Sequence, residues 1–319
     1  MININYERAN KWMKALGYLP SDKSNYKQHF DEMEQKYNQL IKDFTMSNEK
    51  LIVEQLKKFS QENQTLSNQE YEEEKVKIVS KYMSFEVYQQ NEHFQKLIQI
   101  DSDRILTNLK FLNNPYYQHI EQFFYVNNFG MQFDTKEEST TTYLDVMKRI
   151  LYIYCRLHPN IGYISGMNYL LAPILRVIQK EADCFFCFER LMERQQQYFS
   201  QYDNQKAIAE TMKRFDEMIQ KQEPQLEQYM NGIGVNISMF FVRWFITLFT
   251  SDLDIDIVIQ LWDNMLWKDY QEYQFEIIIE VLRRMKKKIL KSNFDQFVQL
   301  IQEKNENGVK KIINSILNK

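Results

Sequence analysis

Apolar side chains return every three or four positions along most of the chain, the spacing of helices that bury one face. Phe30, Met33, Tyr37, Leu40, Ile41 and Phe44 mark one such face. Val76, Val79 and Met83 mark another, behind a capping signal formed by Ser67 and Glu70. Phe240, Trp244 and Leu248 repeat the pattern, and Ile257, Leu261 and Trp262 extend it. Phe294, Phe297, Ile301, Val309, Ile312 and Ile316 predict one or two closing helices. No useful length of chain alternates apolar with polar residues as a half-buried strand does. The stripes span too few heptads for a two-stranded coiled coil and read as core-facing. The pattern predicts an all-α protein.

Punctuation is sparse, with seven glycines and five prolines in 319 residues. Loops are expected at residues 18–24, 113–117, 134–142 and 159–162, and around Gly232 and Gly234. Two glycines and two prolines fall within HPNIGYISGMNYLLAPIL, which begins at His158. There Pro159 and Gly162 are expected to end one helix, Gly166 to precede the next, and Pro173 to mark a kink or a boundary.

A composition of 44% hydrophobic and 14% aromatic residues can fill a sizeable core. Forty basic against forty-three acidic side chains give a formal charge of −3. No global field therefore draws the chain to nucleic acid or anionic lipid, and either would have to be held locally. The N-terminus lacks the apolar core of a signal peptide, and the longest apolar run is interrupted by Arg243, so no membrane span is expected. Cys155, Cys184 and Cys187 are too few for a disulfide framework and suit a reducing, cytoplasmic setting. Cys184 and Cys187 lie in an apolar helical stretch without a second ligand pair, which favours buried thiols over zinc. The basic run RRMKKK from Arg283 follows a long apolar helix, so a solvated helix end comes ahead of a nucleic-acid or membrane patch.

There is no phosphate-binding P-loop, dinucleotide fingerprint, H-E-x-x-H or G-x-S-x-G. His29, His93, His119 and His158 are scattered without metal spacing. A self-contained hydrolase, a resident metal and a nucleic-acid partner are not expected.

Four blocks, in order, carry a resemblance. The first is ERANKWMKALGYLP, with Arg8 and Trp12 in an R-x-x-x-W helix. The second is LIQIDSDRILTNLKFL, containing I-x-x-D-x-x-R as Ile98, Asp101 and Arg104. The third is RILYIYCRLHPNIGYISGMNYLLAPIL followed by EADCFFCFERLM, and the fourth runs from PQLEQYMNGIGVN to DIVIQLWDNML. Together they resemble the TBC domain of Rab GTPase-activating proteins. The resemblance implies an all-α, two-lobed, V-shaped domain over residues 1–285. Its N-terminal lobe would be about 1–178 and its C-terminal lobe about 179–285, with closing helices at 286–319.

The resemblance also implies a partner and a mechanism. The partner would be a Rab-family small GTPase of vesicle trafficking, which carries its own GTP and Mg²⁺, so this chain needs no cofactor. Catalysis of phosphoryl transfer is largely water positioning and charge stabilisation. The family supplies an arginine finger, matched by Arg104, and Asp101, one helical turn earlier, would orient it. A second register, with Ile100 and Asp103 in the motif, would put the arginine place at Leu106. The family's glutamine finger, in Y-x-Q-G, falls on Ser165, whose hydroxyl is shorter by roughly 2 to 3 Å and cannot both accept from and donate to a water as an amide can. Around it Tyr163, Gly166, Met167 and Asn168 match the family's GTPase-binding stretch. Asn168 would brace the Arg104 loop or serve a local backbone group. Trp244 and Trp262 are expected in the core, and Asp263 as a cap or brace for a neighbouring helix. The implied function is GTPase activation through Arg104. The alternative is an impaired domain acting as a Rab effector, a scaffold or a component of a larger assembly, recruited to a membrane or the cytoskeleton.

Overall fold

The computed structural model describes residues 6–46, 48–63, 67–116, 141–200, 204–302 and 308–318. Its helices are α1 (Tyr6–Ala15), α2 (Tyr26–Ile41), α3 (Asn48–Glu62), α4 (Asn68–Ser80), α5 (Phe85–Ile105), α6 (Tyr143–Leu157), α7 (Met167–Val177) and α8 (Glu181–Gln195). They continue with α9 (Asn204–Gln222), α10 (Pro224–Gly232), α11 (Ile237–Thr247), α12 (Ile255–Met265), α13 (Tyr270–Ile289), α14 (Phe294–Gln302) and α15 (Val309–Leu317). Among the described residues the only β pairing is an isolated antiparallel bridge between Pro115 and Thr142. The protein is all-α. His119 and residues 134–140 of the expected polar loop lie outside the described residues.

The helix ends follow side-chain chemistry. Ser67 and Glu70 form the expected capping box at α4, and Thr142 with Asp145 forms another at α6. Asn236 and Asp269 cap α11 and α13 by accepting backbone N–H groups of Met239 and Glu272. Pro173 lies inside α7, so it marks no boundary.

The helices group into two compact units. One comprises the described residues of Pro20–Asn168 and Lys180–Phe186. Its α6 is buried along most of its length, from Tyr143 to Cys155, and α5 packs on it. Glu181 is its polar anchor: Arg149 donates to both carboxylate oxygens, at 2.5 and 2.6 Å, and the Tyr37 hydroxyl donates at 2.7 Å. Burial and the Glu181 charge push the Tyr37 phenol well above its ordinary range. A smaller cluster of Ile52, Leu56, Ile78, Val79 and Tyr88 joins α3, α4 and the start of α5.

The other unit comprises the described residues of Met1–Leu19, Tyr169–Gln179 and Cys187–Lys319. Helix α1 thus groups with the C-terminal part of the chain. The cause is a polar staple inside this unit. Arg8 Nε lies 3.0 Å from both oxygens of Asp263, and Trp12 Nε1 donates to the same carboxylate at 2.8 Å. The Trp12 ring packs against Trp262, with centroids 5.4 Å apart. Arg194 adds a bond to the Ala15 carbonyl, closing the C-terminal end of α1. Trp244 and Trp262 are core residues, and Asp263 braces α1.

Helix α11 ends in an unusual turn. Leu248 and Phe249 have φ of 48° and 71°, a left-handed conformation that non-glycine residues reach at a cost of roughly 1–2 kcal/mol each. Both side chains are fully buried, and carbonyls of the turn accept side-chain donors. Gln274 donates to Trp244 O at 2.7 Å and Trp262 Nε1 to Leu248 O at 3.0 Å.

Candidate functional site

The site is built within the first unit from the last turn of α5 and the turn between α6 and α7. Helix α5 places Ile98, Asp101 and Ile105 on its buried face, whereas Ile100 and Asp103 face outward. Asp103 is taken up by Gln99 on that outer face, at 2.7 Å. The inward residues are those of the register ending on Arg104.

Arg104 occupies the end of the helix. Its carbonyl accepts the Thr107 hydroxyl at 2.9 Å, which caps the last turn. Its guanidinium makes one ion pair, Nη1 to Asp101 Oδ1 at 3.3 Å, and the side chain is 73% exposed. The finger candidate is therefore anchored at its base and open at its tip.

Asp101 is the opposite case, with a side chain only 11% exposed. Besides Arg104 it accepts the Tyr163 hydroxyl on Oδ2 at 3.1 Å. The Asn168 side-chain amide donates to the Asp101 backbone carbonyl, also at 3.1 Å. Asn168 thus braces the Arg104 helix, one of the two roles anticipated for it. Three bonds converge on one residue, and two of them tie two segments together across more than sixty positions of sequence.

The connecting turn has local causes. Pro159 holds His158 away from the helical region, at φ −120° and ψ 62°, and α6 stops. The His158 carbonyl accepts the N–H groups of Ile161 and Gly162 at 2.9 Å each, and Gly162 takes φ 64°. Gly166, at φ 107°, lies where an L side chain would be strained, and α7 begins at the next residue.

The four matched positions in the stretch, Tyr163, Gly166, Met167 and Asn168, are all buried. Tyr163 and Asn168 turn inward to Asp101. Ser165 is exposed. The structure therefore joins Asp101, Arg104, Tyr163 and Asn168 in one network and leaves Arg104 and Ser165 as its outward-facing side chains.

Elsewhere the chemistry is quiet. Cys155, Cys184 and Cys187 are buried, and burial pushes the Cys155 thiol far up. No group of metal-ligating side chains is found among the described residues, and no helix among them is long and apolar enough to cross a membrane.

A family model described as the Rab-GTPase-TBC domain matches residues 127–290, just over half of the chain. The chain is 27% identical over 163 residues to the GTPase-activating protein GYP7 of Saccharomyces cerevisiae, covering 50% of this chain and 21% of that protein. It is 25% identical over 172 residues to the human TBC domain-containing protein kinase-like protein, covering 54% and 19%. These matches span about a fifth of each relative's length. The fold is similar to the crystal structure of the Ypt/Rab-GAP domain of Gyp1p, with a TM-score of 0.63, 16% identity and coverage of 97% of this chain and 86% of that one. It is also similar to a Chlamydomonas flagellar RabGAP TBC domain, with a TM-score of 0.52, 14% identity and coverage of 99% and 95%.

Proposed function

The chain belongs to the Rab-GTPase-TBC domain family, and on that premise we propose that it binds a Rab-type small GTPase and accelerates GTP hydrolysis through Arg104 in trans. The observation that carries the reading is the asymmetry of Arg104, fixed at its base by Thr107 and Asp101 and open to a partner at its guanidinium. A permanently charged, planar group in that setting can neutralise charge developing on a γ-phosphoryl group, worth about 10³ to 10⁵ in rate. Because Asp101 is held by Tyr163, the carboxylate that pairs with the finger is fixed in place while the guanidinium stays open to a partner.

Ser165 shapes the rest of the mechanism. Its side chain is exposed at the glutamine position but offers one short hydroxyl. The water is therefore oriented by the GTPase's own glutamine, and this domain contributes charge stabilisation alone. GTP and Mg²⁺ enter on the partner, and the place of action is the cytoplasmic face of a trafficking membrane.

The same serine favours a second reading, in which the domain binds a Rab as an effector or as a scaffold of a larger assembly without accelerating hydrolysis. Single-turnover GTP hydrolysis across a Rab panel separates the two. Acceleration that disappears in Arg104→Ala supports the activator. Binding of GTP-loaded Rab with an unchanged hydrolysis rate supports the scaffold.

A further inference from the structure

We propose that the corner where α13 turns into α14 is a contact for an anionic lipid surface, made by Lys287, Lys288 and Lys291 together with Phe294. The basic run that begins at Arg283 is divided in two by its pairing. Arg283 donates to Glu223 at 2.7 Å and to Glu280 at 2.9 Å, Lys286 to Glu223 at 2.9 Å, and Arg284 to Glu280 at 2.7 Å. Two carboxylates thus absorb the first three cations. Lys287, Lys288 and Lys291 are exposed, and no carboxylate among the described residues pairs with them.

These three lysines fall within five positions at the end of α13 and in the turn that follows it. The turn itself is well held. Lys291 N–H donates to Lys288 O at 3.1 Å, the Ser292 hydroxyl to Ile289 O at 2.7 Å, and the Tyr229 hydroxyl to Ser292 O at 3.1 Å. Phe294 then opens α14 with 48% of its surface exposed, while Phe297 is fully buried, its ring 5.1 Å from that of Phe240. The helix spends its inward face on Phe297 and leaves Phe294 exposed, three positions after Lys291. Asp295 is the one exposed acid in this turn.

Charge selects the occupant. The chain as a whole carries −3, so this cationic corner is a local feature and not part of a general field. Unpaired lysines next to an exposed ring match the boundary between lipid headgroups and acyl chains, where the ammonium groups meet anionic headgroups and the ring enters the apolar layer. A nucleic acid is a poorer match, because such proteins neutralise about six to ten phosphates and this corner offers three cations.

The inference goes beyond the GTPase reading and needs no GTPase in its test. The full chain is sedimented with vesicles of phosphatidylcholine alone or with about one-third phosphatidylserine. Binding is expected only to the mixed vesicles and is expected to weaken as salt is raised. Each lysine near such a surface is worth roughly fivefold, so the triple variant Lys287→Glu, Lys288→Glu, Lys291→Glu should lose roughly a hundredfold or more. A triple glutamine variant at the same positions should show a similar but smaller loss without introducing repulsion, and Phe294→Ser should weaken binding several-fold. Failure of the unaltered chain to bind mixed vesicles would overturn the proposal. So would equal binding by the triple variants, or retention of a DNA duplex by the same lysines in place of vesicles.

Discussion

The Tyr163 hydroxyl donates to Asp101 Oδ2 at 3.1 Å, so the turn that carries Ser165 and the helix that carries Arg104 share one nearly buried carboxylate. Tyr163→Phe keeps the ring and removes this bond, leaving one oxygen of Asp101 without its donor. Such a loss costs about 1–3 kcal/mol of local order. On the activator reading the expected result is a roughly tenfold slower single-turnover rate at saturating domain, with affinity for the loaded Rab nearly unchanged. A rate equal to that of the unaltered chain would mean that Asp101 holds Arg104 without help from Tyr163.

Ser165 gives a second prediction, in which the sign of the change matters more than its size. The residue is exposed between two positive-φ glycines, so a longer side chain can be accommodated without repacking. Ser165→Gln restores an amide that can hold water and is expected to raise the rate by about tenfold or more, within the range typical of a well-placed polar group in catalysis. The unaltered domain should depend on the GTPase's own glutamine, and replacing that glutamine with leucine should abolish acceleration. The Ser165→Gln domain should tolerate the same replacement. Equal rates for the two domains on both GTPases would exclude a role for position 165 near the water.

The fold was largely legible because helical periodicity is a local property, readable wherever a buried face recurs, as at Trp244 and Leu248. What escaped the pattern depends on distant partners. Nothing near Arg8 or Trp12 announces Asp263, which lies more than 250 positions away and draws the first helix into the C-terminal unit. Val76 and Phe294 sit on apolar stripes but are exposed, since periodicity identifies a face without saying how far a neighbour covers it. In the site, sequence supplied the residues and not their division of labour. Tyr163 and Asn168 were marked beside Ser165, yet only packing could show that they face inward to Asp101.

The Asp263 staple leads to a stability prediction independent of any GTPase. One carboxylate serves Arg8 and Trp12, and Trp12 is fully buried. Asp263→Ala strands the indole N–H in the core and removes the carboxylate that Arg8 pairs with, at a cost of roughly 2–4 kcal/mol. Asp263→Asn keeps an acceptor for Trp12 and should cost less. Urea unfolding followed by tryptophan fluorescence is the measurement. The expected order of midpoints is unaltered chain, then Asp263→Asn, then Asp263→Ala, with little change in the slope if both variants fold to the same compactness.

Acid unfolding should show the signature of Glu223. Hydrogen bonds from Arg283 and then Lys286, at 2.7 and 2.9 Å, hold its carboxyl below the ordinary glutamate value. A group whose pKa is depressed by folding contributes stability above its unfolded value of about 4.3, and that stability is lost as pH falls through the folded value. Glu223→Gln removes the titration and leaves Arg283 with Glu280 and Gln222 as partners. The variant is therefore expected to be less stable than the unaltered chain at neutral pH, and the gap should narrow as pH drops below about 4. Urea midpoints collected at intervals from neutral to acid pH test this, and a gap that stays constant across the series would show that the ion pairs do not set the acid response.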